Sequence, residues 1–300
     1  MDYALTDDQQ ALIDAVDTLL TRRAGSVRAR QMTGVHDDAV LDALLEAGFL
    51  DVTTDVDAGP LSAGLVTEAA ARHLAAANVG ARSLVAARLL HEPPAKIALA
   101  VAGQRGPVRF GADADVVLVL DGDDVRVVAP SRAERVDTGY VYPYAEVDLD
   151  GGEVLAGRGA DLAMTWRQAI AIETAGLLRP ALDLTVEYLS QREQFGKPIG
   201  AFQAVQHRLA EAYVSVNATR WTALAAIWND TAEAAASAAT YATMATRQVA
   251  FDCHQLHGAI SFAAEYDLHL WTMRAQALRT EFGGIGGHAT ATTRLRWAAS

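Results

Sequence analysis

The sequence predicts a mainly α protein in three parts. An N-terminal α-helical domain covers residues 1–94, a reduced β domain covers 95–157, and a C-terminal four-helix bundle covers 158–300. Three observations predict it. Apolar residues recur at helical spacing in the first ninety residues and again from Ala160 onward. Between them, two apolar runs flank an acidic, Gly-containing turn, which is a hairpin pattern. Pro93-Pro94 closes the first helical part, because consecutive prolines cannot continue a helix.

The elements follow in order. Leu5-Thr6-Asp7-Asp8-Gln9-Gln10 reads as an N-cap with acidic first-turn residues suited to the helix dipole, and Leu12, Val16, Leu19 and Leu20 continue at helical spacing. Gly25 and Gly34 punctuate the chain. A second helix carries Val40, Leu41, Leu44 and Leu45 and ends near Gly48, and an Ala-rich helical run extends from Leu65 to Leu90. Val116–Leu120 and Val125–Val128 form the hairpin around Asp121-Gly122-Asp123-Asp124. Val141, Tyr142, Val147 and Leu149 add one or two strands before the turn at Asp150-Gly151-Gly152. In the bundle, Leu178, Leu182, Thr185 and Leu189 mark one helix face, and Phe202, Val205, Leu209, Tyr213 and Val216 mark another. Alanine dominates from Ala223 to Ala250, which permits close helix–helix approach. A further helix is expected from about Ala263, and the glycines after Phe282 read as loop or a weak helix start.

Composition narrows the function classes. Hydrophobic residues make up 51% of the 300, charged residues 21%, and a chain of this size builds a core without a disulfide or metal staple. About one residue in five is alanine, far above the usual share. The net charge of −12, with Lys96 and Lys197 as the only lysines, argues against nucleic-acid partners. Apolar runs are too short for a membrane helix, the acidic N-terminus is unlike a signal peptide, and the single Cys253 fits a reducing compartment. A cytoplasmic location is therefore expected. His254 and His257 lack a patterned third ligand, so no metal site is expected, and Cys253 reads as buried packing.

Two segments stand out. The first is Gln191-Arg192-Glu193-Gln194-Phe195-Gly196-Lys197-Pro198-Ile199-Gly200, followed by Phe202-Gln203-Ala204-Val205-Gln206-His207. Gly196 and Pro198 break a helix there, and Arg192 can offer an anion a bidentate fork; a capped inter-helix turn with a solvated Arg is the alternative. The second is Gln255-Leu256-His257-Gly258-Ala259-Ile260-Ser261-Phe262. Gly258 permits close backbone approach and Gln255 offers a donor and an acceptor, with an ordinary connection as the alternative.

Together these segments resemble the acyl-CoA dehydrogenase family. The first is similar to its R-x-x-F-G-x-x-I-x-x-F-Q-x-x-x-H segment. The second is similar to its Q-x-x-G-G-x-G-F segment, with Ala259 and Ser261 in place of two glycines. The resemblance is strong from Ala160 to about Gly284 and weak before that. It implies an acyl-CoA dehydrogenase-like fold, FAD shared across a subunit interface, and α,β-dehydrogenation of an acyl-CoA thioester with an electron-transfer flavoprotein as acceptor. It places Arg192, Phe195 and Gly196 against the FAD pyrophosphate and adenine region, with Gln255, Gly258 and His257 approaching from the other segment.

The departures are informative. The family's T-E-P-x-x-G-S-D type segment is missing between Ala95 and Gly157. The usual position of the catalytic glutamate, after the last long helix, falls at Gly283, and a minority position on the first bundle helix falls at Trp166. Neither residue can accept the substrate proton. Glu173 and Glu281 are the nearest carboxylates; Glu173 reads as a structural polar contact, and Glu281 precedes the usual position by two residues. Arg220, Arg247, Arg274 and Arg279 read as interface or surface ion pairs, with replacement of a lost catalytic group as the alternative. The resemblance therefore implies the shortened, divergent subunit of an actinobacterial α2β2 heterotetramer, inactive alone and paired with a full-length α subunit, acting on thioesters that include steroid-derived ones. Two alternatives remain: a homo-oligomer with Glu281 or Glu173 as a relocated base, and a helical scaffold without flavin.

Overall fold

The computed structural model describes residues 5–53 and 59–297. The first helical part holds α1 (Asp7–Arg23), α2 (Ser26–Gln31), α3 (Asp38–Glu46), α4 (Gly59–Arg72) and α5 (Ala87–Leu89), the last preceded by a π-helical turn, Ala81–Ala86. Thr6 caps α1 in a reciprocal box with Gln9, so two otherwise unpaired backbone N–H groups are satisfied. Val16 and Leu20 of α1 and Val40, Leu41 and Leu44 of α3 share one core with Val66 and Ala69 of α4. The expected single run from Leu65 to Leu90 is broken. Leu74 takes a left-handed conformation, φ 59°, and the chain reverses before the π-turn. Spacing alone cannot reveal this, because Leu74 is itself buried and keeps the apolar pattern.

Seven short strands follow: β1 (Ile97–Val101), β2 (Val108–Arg109), β3 (Val116–Asp121), β4 (Asp124–Val128), β5 (Ala133–Val136), β6 (Tyr144–Val147) and β7 (Glu153–Leu155). One sheet has the order β1-β3-β4-β7, with β1 parallel to β3 and the other pairs antiparallel. The hairpin lies at β3–β4, in the register Asp121 to Asp124. The second sheet is β2-β6-β5. Val141 and Tyr142 are buried in the connection before β6 rather than in a strand, and Leu149 lies beyond it.

The last part begins with α6 (Gly159–Gln191), which packs against α4, α7 (Gln203–Asn229), α8 (Ala232–His257) and α9 (Leu268–Leu278). Between α6 and α7 a small hairpin pairs β8 (Glu193–Gln194) with β9 (Lys197–Pro198). The face Leu178, Leu182, Thr185 and Leu189 is buried along the centre of the bundle. The α7 face is covered only in part, since Val216 is buried but Tyr213 is 53% exposed. A Cβ on Gly176 would lie 2.3 Å from the Glu68 carbonyl oxygen, so the lack of a side chain lets α6 approach α4.

At the end of the chain one expectation is corrected and one open alternative is decided. The helix placed near Ala263 starts at Leu268, because Gly258–Phe262 winds as a 3-10 turn and Ala263 turns extended. The glycine-rich tail is α10 (Gly284–Trp297), packed along α8. Phe282, Gly283 and Gly284 all have positive φ and make the reversal, while Gly287 fits closely over the Phe282 carbonyl. Arg274, expected in a surface or interface ion pair, is fully buried; its guanidinium lies over Tyr142 and donates to the Ala75 carbonyl.

Gly176→Ala is expected to cost about 1–3 kcal/mol by forcing α6 off α4, read as a lower midpoint in thermal unfolding. His288 of α10 is buried, and burial with the nearby charge of Arg167 lowers its pKa from 6.5 to about 4. The unfolded chain therefore binds this proton more readily, and stability present above pH 6.5 is lost as pH falls toward 4, by about 3 kcal/mol. His288→Leu is expected to flatten this part of the stability–pH curve in chemical denaturation; an unchanged slope counts against the assignment.

Candidate functional site

A cavity of about 660 Å³ opens between the β region, the start of α6 and the turn before α10. Leu99, Val101, Val108, Tyr140, Tyr144 and Phe282 give it an apolar lining, and Trp166 and Gly283 both reach it. The two sequence positions where the resembled family carries its base thus converge on one wall. The Trp166 ring stacks on Phe282 with centroids 4.5 Å apart and planes 10° from parallel.

Beside this cavity lies a buried ionic cluster centred on Arg109 of β2. Its Nη1 donates to Glu173 Oε1 at 2.8 Å and its Nη2 to Glu173 Oε2 at 3.2 Å. Its Nε donates to Glu281 Oε1. The other Glu281 oxygen accepts from Trp166 Nε1 at 3.1 Å, and the Tyr142 hydroxyl donates to Glu173 Oε1 at 2.5 Å. The Arg109 guanidinium also lies 4.7 Å from the Tyr142 ring centroid. Side-chain exposures of 7%, 9% and 12% for Arg109, Glu173 and Glu281 leave all three charges largely shielded, with Arg109 and Glu281 at the cavity wall.

Burial alone would lower the Arg109 pKa, but the carboxylates of Glu173 and Glu281 outweigh it and hold the value well above the usual one. Burial raises the Glu281 pKa, and Glu173 adds to this, against the opposing pull of Arg109. One guanidinium cannot neutralise two buried carboxylates, so Glu281 keeps its proton to higher pH than a solvated glutamate. Burial likewise raises the Tyr142 pKa, which keeps its hydroxyl a donor. Each oxygen of Glu281 accepts one hydrogen bond, and both oxygens of Glu173 accept as well. Sequence reading passed over Arg109 and Tyr142. The signal that could have found Arg109 is a lone basic residue between Val108 and Phe110 in an apolar strand.

The other sequence-predicted residues lie away from this cluster. Arg192 is exposed at the end of α6, and among the described residues its guanidinium has no hydrogen-bond or ion-pair partner. Phe195 and Gly196 form the two-residue turn of the β8–β9 hairpin, both with positive φ, at 56° and 82°. Phe195 is 92% exposed, at an uncommon backbone conformation for a bulky residue. Gln255 and Gly258 are also exposed; Gly258, with φ 67°, ends α8, and nothing lies within 4 Å of where its Cβ would be. His257 is different. It is buried, its Nδ1 bonds the Cys253 carbonyl at 2.7 Å, and its Nε2 bonds the Tyr266 hydroxyl at 2.9 Å. Both ring nitrogens are used internally, unlike the open side chains of Arg192 and Gln255. Among the described residues, no group of three His, Cys, Asp or Glu side chains converges as a metal site would require. No helix of the described residues is long and apolar enough to cross a membrane.

Comparison with known proteins follows the same lines. Residues 158–286 match the family profile described as Acyl-CoA dehydrogenase, C-terminal domain. Acyl-CoA dehydrogenase IpdE2 of Mycolicibacterium smegmatis is 32% identical over 213 residues, covering 65% of this chain and 68% of its own length. Acyl-CoA dehydrogenase FadE34 of Mycobacterium tuberculosis is 37% identical over 205 residues, covering 64% of this chain but 28% of its own length. Among solved structures, a chain of the ChsE4-ChsE5 complex from Mycobacterium tuberculosis superposes with a TM-score of 0.85 at 22% identity, covering 99% of each chain. A chain of a Tcur3481-Tcur3483 steroid ACAD superposes at 0.80 with 23% identity, covering 98% of this chain and 99% of that one. At these identities the two likenesses show the fold alone.

Arg109→Met is expected to cost about 3–5 kcal/mol, because it leaves two buried carboxylates without their cation. Adding Glu173→Gln and Glu281→Gln should return most of that loss. Denaturant titration of the single and triple variants checks both statements.

Proposed function

The chain belongs to the acyl-CoA dehydrogenase family, and we propose that it serves as the cofactor-clamping subunit of a two-component enzyme. In this reading a full-length α subunit holds the flavin ring and supplies the catalytic base, in an α2β2 assembly with one FAD per heterodimer. This chain contributes Arg192, Phe195, Gly196, Gln255 and Gly258 to the ADP half of that FAD. FAD, when bound, would supply the hydride acceptor for the acyl-CoA, with an electron-transfer flavoprotein as the external electron acceptor. A steroid ACAD among the fold neighbours supports steroid-derived thioesters as the substrate class, and the two-component ChsE4-ChsE5 complex supports a second subunit.

One observation carries the reading. The side chains of Arg192 and Gln255 are exposed and, among the described residues, have no hydrogen-bond partner, whereas each oxygen of Glu173 and Glu281 beside the chain's own cavity already accepts a hydrogen bond. An exposed guanidinium without a partner suits a pyrophosphate, to which its planar fork can donate twice. Gly258 leaves room for a phosphate to approach the backbone. Phe195 holds an apolar ring at the tip of a tight hairpin, where it can lie against an adenine of a neighbouring subunit's cofactor. The fit is to a cofactor reaching in from outside, not to a flavin ring beside Arg109.

The specific support for a relocated base is that Glu281 lines the cavity. Against it stands the geometry: Arg109 holds one Glu281 oxygen and Trp166 the other, so turning the carboxylate toward a substrate carbon would break its contact with the buried guanidinium.

Co-expression with a full-length acyl-CoA dehydrogenase encoded beside it tests the proposal. The expected result is a colourless chain alone and a yellow, active complex with one FAD per two chains. Arg192→Ala should weaken FAD retention in the complex by about tenfold to a hundredfold, the loss of one charged hydrogen-bond set. A yellow, active protein from this chain alone favours the homo-oligomer, and unchanged FAD content in Arg192→Ala favours the flavin-free scaffold.

A further inference from the structure

Arg192 and Gly258 lie on different helix ends, and three aromatic rings join those ends. Tyr188 sits one turn before Arg192 on α6, and the Arg192 backbone N–H donates to the Tyr188 carbonyl at 2.9 Å. The Tyr188 ring stacks on His257, the last residue of α8, with centroids 4.6 Å apart and planes 22° from parallel. Tyr266 closes the triangle, edge-on to Tyr188 at 6.2 Å and 5.1 Å from the His257 ring.

The hydrogen bonds fix the middle ring. The Cys253 carbonyl can only accept, so His257 Nδ1 carries the proton and donates at 2.7 Å. Nε2 is then the acceptor for the Tyr266 hydroxyl at 2.9 Å. Burial lowers the His257 pKa, which keeps the ring neutral and this tautomer in place. Tyr266 is itself held, because Arg30 donates to the Ala264 and Glu265 carbonyls and to Asp267 on either side of it. His269 Nδ1 also bonds the Tyr266 carbonyl at 2.7 Å.

We propose that Tyr188, His257 and Tyr266 form a brace that sets the spacing between the Arg192 turn and the Gly258 turn, so that both segments meet one dinucleotide pyrophosphate together. The three are positioning residues and touch no cofactor. This rests on the reading that the two segments clamp FAD. Preorganisation of this kind adds affinity by removing the cost of ordering two separate turns on binding. It also accounts for a buried histidine directly beside a glycine open to solvent.

The test uses the complex of this chain with its partner subunit, stripped of cofactor and titrated with FAD, following flavin fluorescence quenching. Tyr188→Leu removes the stack, and Tyr266→Phe removes one hydroxyl from a half-buried ring and so preserves the fold. Each is expected to weaken FAD binding by roughly threefold to tenfold, the scale of one aromatic or hydrogen-bond contact. Tyr188→Phe should bind as the unaltered complex does. In an Arg192→Ala background, Tyr188→Leu and Tyr266→Phe should have little further effect, because they act through that clamp; a merely structural role would lower the melting temperature and leave this coupling at zero. If Arg192→Ala weakens FAD binding but Tyr266→Phe and Tyr188→Leu do not, the brace is overturned and the clamp stands. If none of the three changes FAD affinity, the clamp falls and the brace with it.

Discussion

The Arg109 guanidinium ties the three parts of the site together. It sits on a two-residue strand, yet its partners lie on α6 and on the turn before α10. A buried cation of this kind is tolerable only with its carboxylates in place, and they are tolerable only with it. The constraint therefore fixes how the β region meets the bundle. It holds Glu281 where Trp166 can donate to it, and it places Phe282 flat against the Trp166 ring. The left-handed backbone at Phe282 and the two glycines after it follow from the sharp reversal that this contact demands.

The same constraint separates the chain's two polar regions by role. Around Arg109 each carboxylate oxygen accepts a hydrogen bond from within the molecule. At the ends of α6 and α8 the reverse holds: the rings of Tyr188, His257 and Tyr266 satisfy one another, while Arg192, Gln255 and Gly258 stay open. Buried polarity is thus structural in both places, and the exposed, unpaired Arg192 and Gln255 lie on the segments that resemble a family's cofactor motifs. The partly covered α7 face and the exposed Phe195 extend that open surface.

Local features of the fold were legible in the sequence. The Thr6 cap, the β3–β4 hairpin and the Leu178-to-Leu189 face depend on neighbours within a turn or two, and spacing reports such neighbours directly. Features set by distant contacts were not. Arg109 pairs with Glu173 and Glu281 across 64 and 172 residues, and its place between Val108 and Phe110 marks it as unusual without naming those partners. Arg274 looked like a surface charge because its partners, Tyr142 and the Ala75 carbonyl, are equally remote. At the start of α10 the sequence left loop and weak helix start open, because glycine content counts against a helix, and packing along α8 decides for the helix. In the candidate site, motif letters identified Arg192, Phe195, Gln255 and Gly258 as a group. The same letters could not tell that His257, in the midst of them, points inward.

The account comes down to where a flavin lies relative to this chain, and an experimental structure of the chain with its partner subunit and FAD measures that directly. The expected result has the ADP half against Arg192 and Gly258, the flavin ring within the partner, and Arg109 still bonded to Glu173 and Glu281. A flavin ring seated in this chain's own cavity, with Glu281 released from Arg109 and turned toward substrate, would contradict it.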